Sequence, residues 1–275
     1  MRSSVAIVLH ALILWLVPAV PGHADVRLEG LDEPIRSNVL AHMRLDDESC
    51  DQDRARIRYR FSRSKDAIRA ALKPFGYYDP KIEAELEEPE DDCWQAVFRV
   101  DPGEPVLISR VDIRVSGEGS GMPVFTRLLS ETDIRVGERL EHDAYETLKR
   151  QLLVVAQEYG FFDAELVDSA IRVSREQRLA EVSLLLDTGS RYRFGTLTIS
   201  GDILDERLLL RYVDFQEGTP FEQRRLRKLH NDLVRGDYFS SVDVRAVPRE
   251  NGDKVADVIL TLEEGRRTRY GVGVG

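Results

Sequence analysis

The chain has 275 residues, with 49 acidic against 39 basic side chains and a formal net charge of −10. Such a surface repels phosphate backbones, which excludes nucleic acid as a partner. The 32% of charged residues need a large exposed area, so small modules are expected rather than one deep core.

Residues 1–24 contain Arg2, an apolar run from Val5 to Val17 broken only by His10, and then Pro18, Pro21 and Gly22. This predicts a signal peptide cut between Ala24 and Asp25. Small residues at Gly22 and Ala24 suit a signal peptidase, and the run is short for a bilayer span. No later stretch is long and apolar enough to form a membrane helix. The remainder is read as an exported chain in an oxidising compartment.

From Asp25 the same order of elements occurs three times. The first unit opens with the strand Val26 to Glu29, stopped by Gly30, and continues with a helix over Ile35 to Met43. A second helix carries Ile68, Ala71 and Leu72 and is expected to stop near Lys73, because Pro74 cannot continue it. The turn Gly76-Tyr77-Tyr78-Asp79, a strand Ile82 to Leu86 and a last strand Gln95 to Val100 close the unit at Gly103.

The second unit begins with Val111 to Ser116 before Gly117, has a short helix over Val124 to Leu129, and ends with strands Ala164 to Val173 and Ala180 to Leu186 before Gly189. The third begins with Leu197 to Ser200 before Gly201, places its short helix within Leu204 to Tyr212, and ends with Val242 to Val247 and Val255 to Leu262 before Gly265. Their long helices share a spacing. Gly137, Leu140, Glu141, Tyr145, Leu148 and Leu152 match Gly218, Phe221, Glu222, Leu226, Leu229 and Leu233, which puts the apolar members on one helix face. Asp143 and Glu146 suit an N-cap and the third helical position, and the second unit's helix runs one turn further, through Ala156 and Tyr159. Gly160-Phe161-Phe162-Asp163 and the looser Gly236-Asp237-Tyr238-Phe239-Ser240 repeat the turn of the first unit. A left-handed glycine is expected at each, with the paired aromatics plugging the space between helix and sheet. The fold class is α+β: three tandem β-α-α-β-β domains over 25–103, 104–189 and 190–265, each with two helices on one face of a three-stranded sheet.

Leu72-Lys73-Pro74-Phe75-Gly76-Tyr77-Tyr78-Asp79-Pro80, and Arg191-Tyr192-Arg193-Phe194-Gly195 leading into Ile199-Ser200-Gly201, carry a resemblance. The chain resembles the POTRA domains of the outer-membrane barrel-assembly superfamily, and its TamA branch more than its BamA branch. The resemblance implies a non-enzymatic protein without a cofactor, at the periplasmic face of the outer membrane in a Gram-negative envelope. It helps insert barrel proteins and autotransporters; the alternative is a secretion pore or a lipid-transport component. The partners implied are a TamB-like, inner-membrane-anchored protein and unfolded outer-membrane barrel or autotransporter substrates. In such folds the middle strand lies on a sheet edge, where it can pair with an extended segment of another chain. The candidate binding strand of the first domain is therefore Lys81, Ile82, Glu83, Ala84, Glu85 and Leu86, with counterparts at Ala164 to Val173 and Ser241 to Val247. Residues 266–275 echo Arg191 to Gly195 and then alternate Tyr270, Val272 and Val274 with glycine. They are read as the start of a transmembrane β-barrel, whose remainder is missing, in preference to a fourth unit.

Enzyme chemistry finds no support in the motifs. His42, His142 and His230 stand on separate helical segments without ligand-spaced partners, Gly117 to Gly121 lacks the lysine of a phosphate loop, and Arg235-Gly236-Asp237 reads as a helix end. Cys50 and Cys93 are expected to form a disulfide closing a loop of about 40 residues. It would bring the acidic groups Asp46, Asp47, Glu48, Asp51 and Asp53 toward Glu87, Glu88, Glu90, Asp91 and Asp92. The cluster is either solvated and offset by Arg54 and Arg56, or a weak Ca²⁺ or basic-partner site.

Overall fold

A computed structural model describes residues 24–89, 93–201 and 206–265. The first sheet comprises β1 (Asp25–Glu29), β2 (Lys81–Glu87) and β3 (Gln95–Asp101), with helices α1 (Ile35–Met43) and α2 (Arg54–Leu72). The second comprises β4 (Leu107–Ser116), β5 (Glu165–Ser174) and β6 (Leu179–Asp187), with α3 (Pro123–Glu131) and α4 (His142–Glu158). The third comprises β7 (Arg193–Gly201), β8 (Phe239–Pro248) and β9 (Val255–Glu264), with α5 (Glu206–Leu210) and α6 (Gln223–Arg235). The expected threefold β-α-α-β-β order is thus present. The predicted signal peptide and the predicted barrel strand at 266–275 lie outside the described residues, apart from Ala24.

Every sheet has the same topology. The last strand in sequence is central, parallel to the first and antiparallel to the middle one: β1-β3-β2, β4-β6-β5 and β7-β9-β8. The central strands are the ones whose alternate residues are most apolar. Ala96, Phe98 and Val100 are buried on β3, Ala180, Val182, Leu184 and Leu186 on β6, and Ala256, Val258, Leu260 and Leu262 on β9. With a period of two, these residues line one face, and the helices cover only that face. The spacing of Tyr145, Leu148 and Leu152 on α4, and of Leu226, Leu229 and Leu233 on α6, supplies the opposing surface, and all six are buried.

By contacts the chain forms two compact units. One runs up to Leu72 and resumes over Asp79–Gly103; the other takes Lys73–Tyr78 and everything from Glu104 on. Helix α2 ends at Leu72, and a single 3₁₀ turn, Lys73–Phe75, follows at Pro74, as the missing proline N–H requires. Cys50 and Cys93 are disulfide-bonded, with Cα atoms 5.1 Å apart. Beside them the Trp94 indole donates to the Ser49 carbonyl at 3.2 Å.

Several local expectations are corrected. Helix α4 is preceded by Glu141, not Asp143, as its N-cap, and no side chain caps it. The cause lies just upstream: the Leu140 N–H donates to the Val106 carbonyl at 2.9 Å and the Leu140 side chain is buried, so the chain is already aimed into the helix by Glu141. Gly76 and Gly160 both have φ +84°, but Gly236 is right-handed at −68° and Asp237 takes the positive φ instead. Nor does the aromatic pair plug one module. Phe161 is buried against Phe125 of its own module, whereas Phe162 packs against Tyr192 and Phe221 of the next. Of the acidic groups around the disulfide, two of the described ones are offset by arginines, in line with the first of the two alternatives above. Glu48 is buried and bonded to Arg56 at 2.9 Å and Arg60 at 3.2 Å, and Glu88 pairs with Arg58 at 2.7 Å. Among the described residues no three His, Cys, Asp or Glu side chains converge as metal ligands; Glu90, Asp91 and Asp92 lie outside them.

Candidate partner-binding surfaces

The sheet order leaves the middle strand of each module at an edge, so β2, β5 and β8 each carry one side without a neighbour in their sheets. They are not equivalent. Pairing of β5 with β6 is interrupted by a register shift between Leu166 and Asp168, where Val167 is 58% exposed. Pairing of β8 with β9 shifts between Phe239 and Ser241. Such irregularities bend an edge and blunt its pairing with another strand. In contrast, β2 pairs with β3 in unbroken register from Lys81 opposite Asp101 to Glu87 opposite Gln95.

All six residues Lys81 to Leu86 therefore lie on a regular edge. Ile82, Ala84 and Leu86 are half-buried toward the helices, while Lys81, Glu83, Glu85 and Glu87 are exposed on the open face. There Arg99 of the central strand reaches Glu85 at 3.2 Å on one side and Glu29 of β1 at 3.4 Å on the other. This cation ties the three strands together on their solvent side without covering the edge of β2.

Within the larger unit the modules are joined through a repeated junction. The Tyr192 N–H donates to the Gly160 carbonyl at 2.8 Å, and the Tyr192 carbonyl accepts from the Phe221 N–H at 2.9 Å. The Val106 N–H likewise donates to the Gly76 carbonyl at 2.8 Å, while the Val106 carbonyl accepts from Leu140 at 2.9 Å. The turn glycine sits directly against the loop it meets. A Cβ on Gly160 would lie 2.8 Å from the Phe221 Cβ, and one on Gly76 would lie 2.6 Å from the Leu140 carbonyl oxygen.

Charged groups lock the junction at Gly160. Arg191 donates to the Tyr159 carbonyl at 2.7 Å and the Phe221 carbonyl at 3.1 Å, and its guanidinium lies 5.8 Å from the Tyr159 ring. Lys254 pairs with Asp163 at 2.7 Å, and that ammonium holds the Asp163 carboxyl below the usual carboxylate range, helped by the Tyr192 hydroxyl. Burial works to raise Glu222, but Arg224, Arg225 and Arg191 outweigh it and keep the carboxyl below its ordinary value. At the junction of Gly76, the Tyr78 hydroxyl and the His142 Nε2 are 2.8 Å apart. Arg191 and His142 were legible as residues but not as contacts, because their partners are 30 and 64 positions away.

Two family models match the chain. One, described as "POTRA domain TamA domain 1", covers residues 25–102, and the other, POTRA, described as "Surface antigen variable number repeat", covers 192–265. Together they take in more than half of the sequence. The chain belongs to the POTRA-domain family. Its first POTRA domain is of the TamA type, as the sequence resemblance implied.

Among curated proteins, the POTRA chain is similar to "Outer membrane protein assembly factor BamA" of Nitratidesulfovibrio vulgaris, at 24% identity over 218 residues. That match covers 78% of this chain and 27% of the relative. It is also similar to the protein of that name from Neisseria meningitidis serogroup B, at 24% identity over 118 residues, 40% of this chain and 15% of the relative. The chain thus spans about a quarter or less of the length of these relatives. The crystal structure of Haemophilus influenzae BamA POTRA3-5 superimposes with a TM-score of 0.47 and 18% identity, covering 89% of this chain and 96% of that one.

Proposed function

We propose that this chain is the periplasmic, partner-binding region of an outer-membrane protein assembly factor, and that its regular β2 edge receives an extended segment of another protein. The observation that carries this reading is the unbroken Lys81–Glu87 edge, set beside two sister edges whose ladders are interrupted. Backbone groups along β2 supply affinity without a sequence requirement, which suits a protein that handles many unfolded barrel or autotransporter substrates. Glu83, Glu85 and Glu87 add selectivity. Two copies pairing through this edge would stack like charges across the new ladder, so self-association is disfavoured and a neutral or basic strand is preferred. An inner-membrane-anchored partner of the TamB type is assigned to this first domain. The modules act through protein contacts and not through catalysis, and the domains run over 25–103, 104–189 and 190–265.

The test uses a pair of substitutions, Glu83→Pro and Ala84→Pro. Along an antiparallel edge successive N–H groups point alternately into the ladder and away from it, so one of the two variants leaves pairing with β3 intact. That variant should keep the parent melting temperature and lose capture of an unfolded barrel substrate or of a TamB-type partner in a pull-down. Full capture by a folded proline variant would refute the edge reading.

A further inference from the structure

Helix α2 carries seven cationic side chains among its 19 residues, in a chain whose net charge is −10. Its single acid, Asp66, pairs with Arg69 at 3.1 Å. Helix α6 is as rich in cations, but there each lysine and arginine has a carboxylate within 4 Å: Arg224 and Arg225 at Glu222, Arg227 at Glu158, Lys228 and Arg235 at Asp232. On α2 the matching is incomplete. Among the described residues the exposed Arg63 guanidinium has no ion-pair partner, and Arg54 reaches only the backbone carbonyls of Glu88 and Pro89.

The helical period sorts these groups onto two flanks. Arg54 and Arg58, one turn apart, face the segment just after β2, where Arg58 bonds Glu88 at 2.7 Å. Arg56, Tyr59, Arg60 and Arg63 follow steps of three and four, which line up on the other flank. The buried Glu48 carboxylate holds Arg56 at 2.9 Å and Arg60 at 3.2 Å, while both arginine side chains still reach water. Tyr59, 64% exposed, stands between them, and it is the one exposed large hydrophobic side chain among the described residues of the first module. Tyrosine and arginine are the residues most often found at the energetic centre of an interface. Guanidinium groups already held in place lose little freedom when a carboxylate arrives.

We propose that Arg56, Tyr59, Arg60 and Arg63 dock an acidic segment of another protein. Charge decides the occupant, because cations turned outward and incompletely matched within the chain favour an anionic partner. A membrane surface would need more apolar contact. A helix that lies in a bilayer interface buries a face of large apolar side chains, whereas the outer-face neighbours of Tyr59 are Ala55, Ser62 and Asp66. Arg56 and Arg63 stand two turns apart, about 10 Å along the axis. An extended chain covers that distance in about three residues, so carboxylates three positions apart match the two ends. The surface lies on the flank opposite the one bonded to Glu88, and it acts whether or not the β2 edge receives a strand.

Fluorescence anisotropy of the full chain with a labelled peptide of alternating glutamate and serine tests this. The parent should bind at low salt, lose affinity as salt rises, and ignore the same peptide built with glutamine. Arg63→Glu and Tyr59→Ala should each weaken binding about tenfold at an unchanged melting temperature. Arg56 and Arg60 stay in place, since removing them would strand the buried Glu48. Arg172→Glu makes the same charge change on the exposed side of β5 and should leave affinity within about twofold of the parent. Binding should also survive in the folded β2 proline variant. Failure to bind at low salt, an equal loss in Arg172→Glu, or a loss in the folded proline variant overturns the proposal. So does attachment to phosphatidylglycerol vesicles without peptide binding, which would mark a lipid surface.

Discussion

Replacing Gly160 by alanine tests the junction between the second and third modules most directly. Gly160 has φ +84°, and an added Cβ would stand 2.8 Å from the Phe221 Cβ and 3.2 Å from its carbonyl oxygen. Gly137 and Gly218 have φ +90° and +79°, but nothing lies within 4 Å of a Cβ at either position. The left-handed conformation alone costs alanine about 1–2 kcal/mol, and all three variants share that term. At Gly160 the packed neighbour must also move, which adds about 1–3 kcal/mol as in other overpacked sites. Urea unfolding of the full chain, followed by circular dichroism, should therefore place Gly137→Ala and Gly218→Ala about 1–2 kcal/mol below the parent and Gly160→Ala about 2–5 kcal/mol below it. If Gly160→Ala falls within about 0.5 kcal/mol of the two controls, the close approach to Phe221 does not bear on stability and the junction is looser than its distances imply.

Other outcomes rest on single contacts. Cys50→Ser should destabilise the first module by about 4 kcal/mol, since the bond closes a separation of 43 residues; a melt unaffected by the substitution or by reductant would contradict this. Glu48→Ala removes a buried carboxylate from Arg56 and Arg60, but both arginines reach water, so a loss of about 1–2 kcal/mol is expected in chemical denaturation. Burial holds the His142 imidazole below its ordinary value, outweighing the nearby Glu146 carboxylate, so the folded chain binds fewer protons than the unfolded one near pH 6. The His142 contribution is full above about pH 6.5 and is lost as the pH falls below it. Urea midpoints taken between about pH 7 and pH 5 should therefore fall more steeply for the parent than for His142→Phe.

How far the sequence carried is visible in particular residues. Pro74 stops a helix because it lacks an N–H, and α2 does end at Leu72. The alternation of Ala180, Val182, Leu184 and Leu186 marks a buried strand face wherever that strand is placed. The helix start at Glu141 was missed, because a backbone bond from Leu140 to Val106, 34 positions upstream of Leu140, sets it, and no local cap rule reports on that. The third turn was misread at Gly236 for a similar reason: the positive φ falls on Asp237, a residue type that tolerates it without requiring it.

The sequence by itself determined the threefold order of elements, the apolar faces of strands and helices, and the POTRA resemblance, all of which arise from local period, turn chemistry and spacing. Only the tertiary structure decided that β2 pairs in one register from end to end while β5 and β8 shift near their starts, and that Phe161 serves its own module but Phe162 the next. Whether a ladder runs on or shifts depends on the pairing of strands far apart in the chain, and period-two alternation looks the same on both sides of a bulge. The direction of an aromatic ring at a turn depends in the same way on the left-handed glycine before it and on the loop that glycine meets, Gly160 against Phe221.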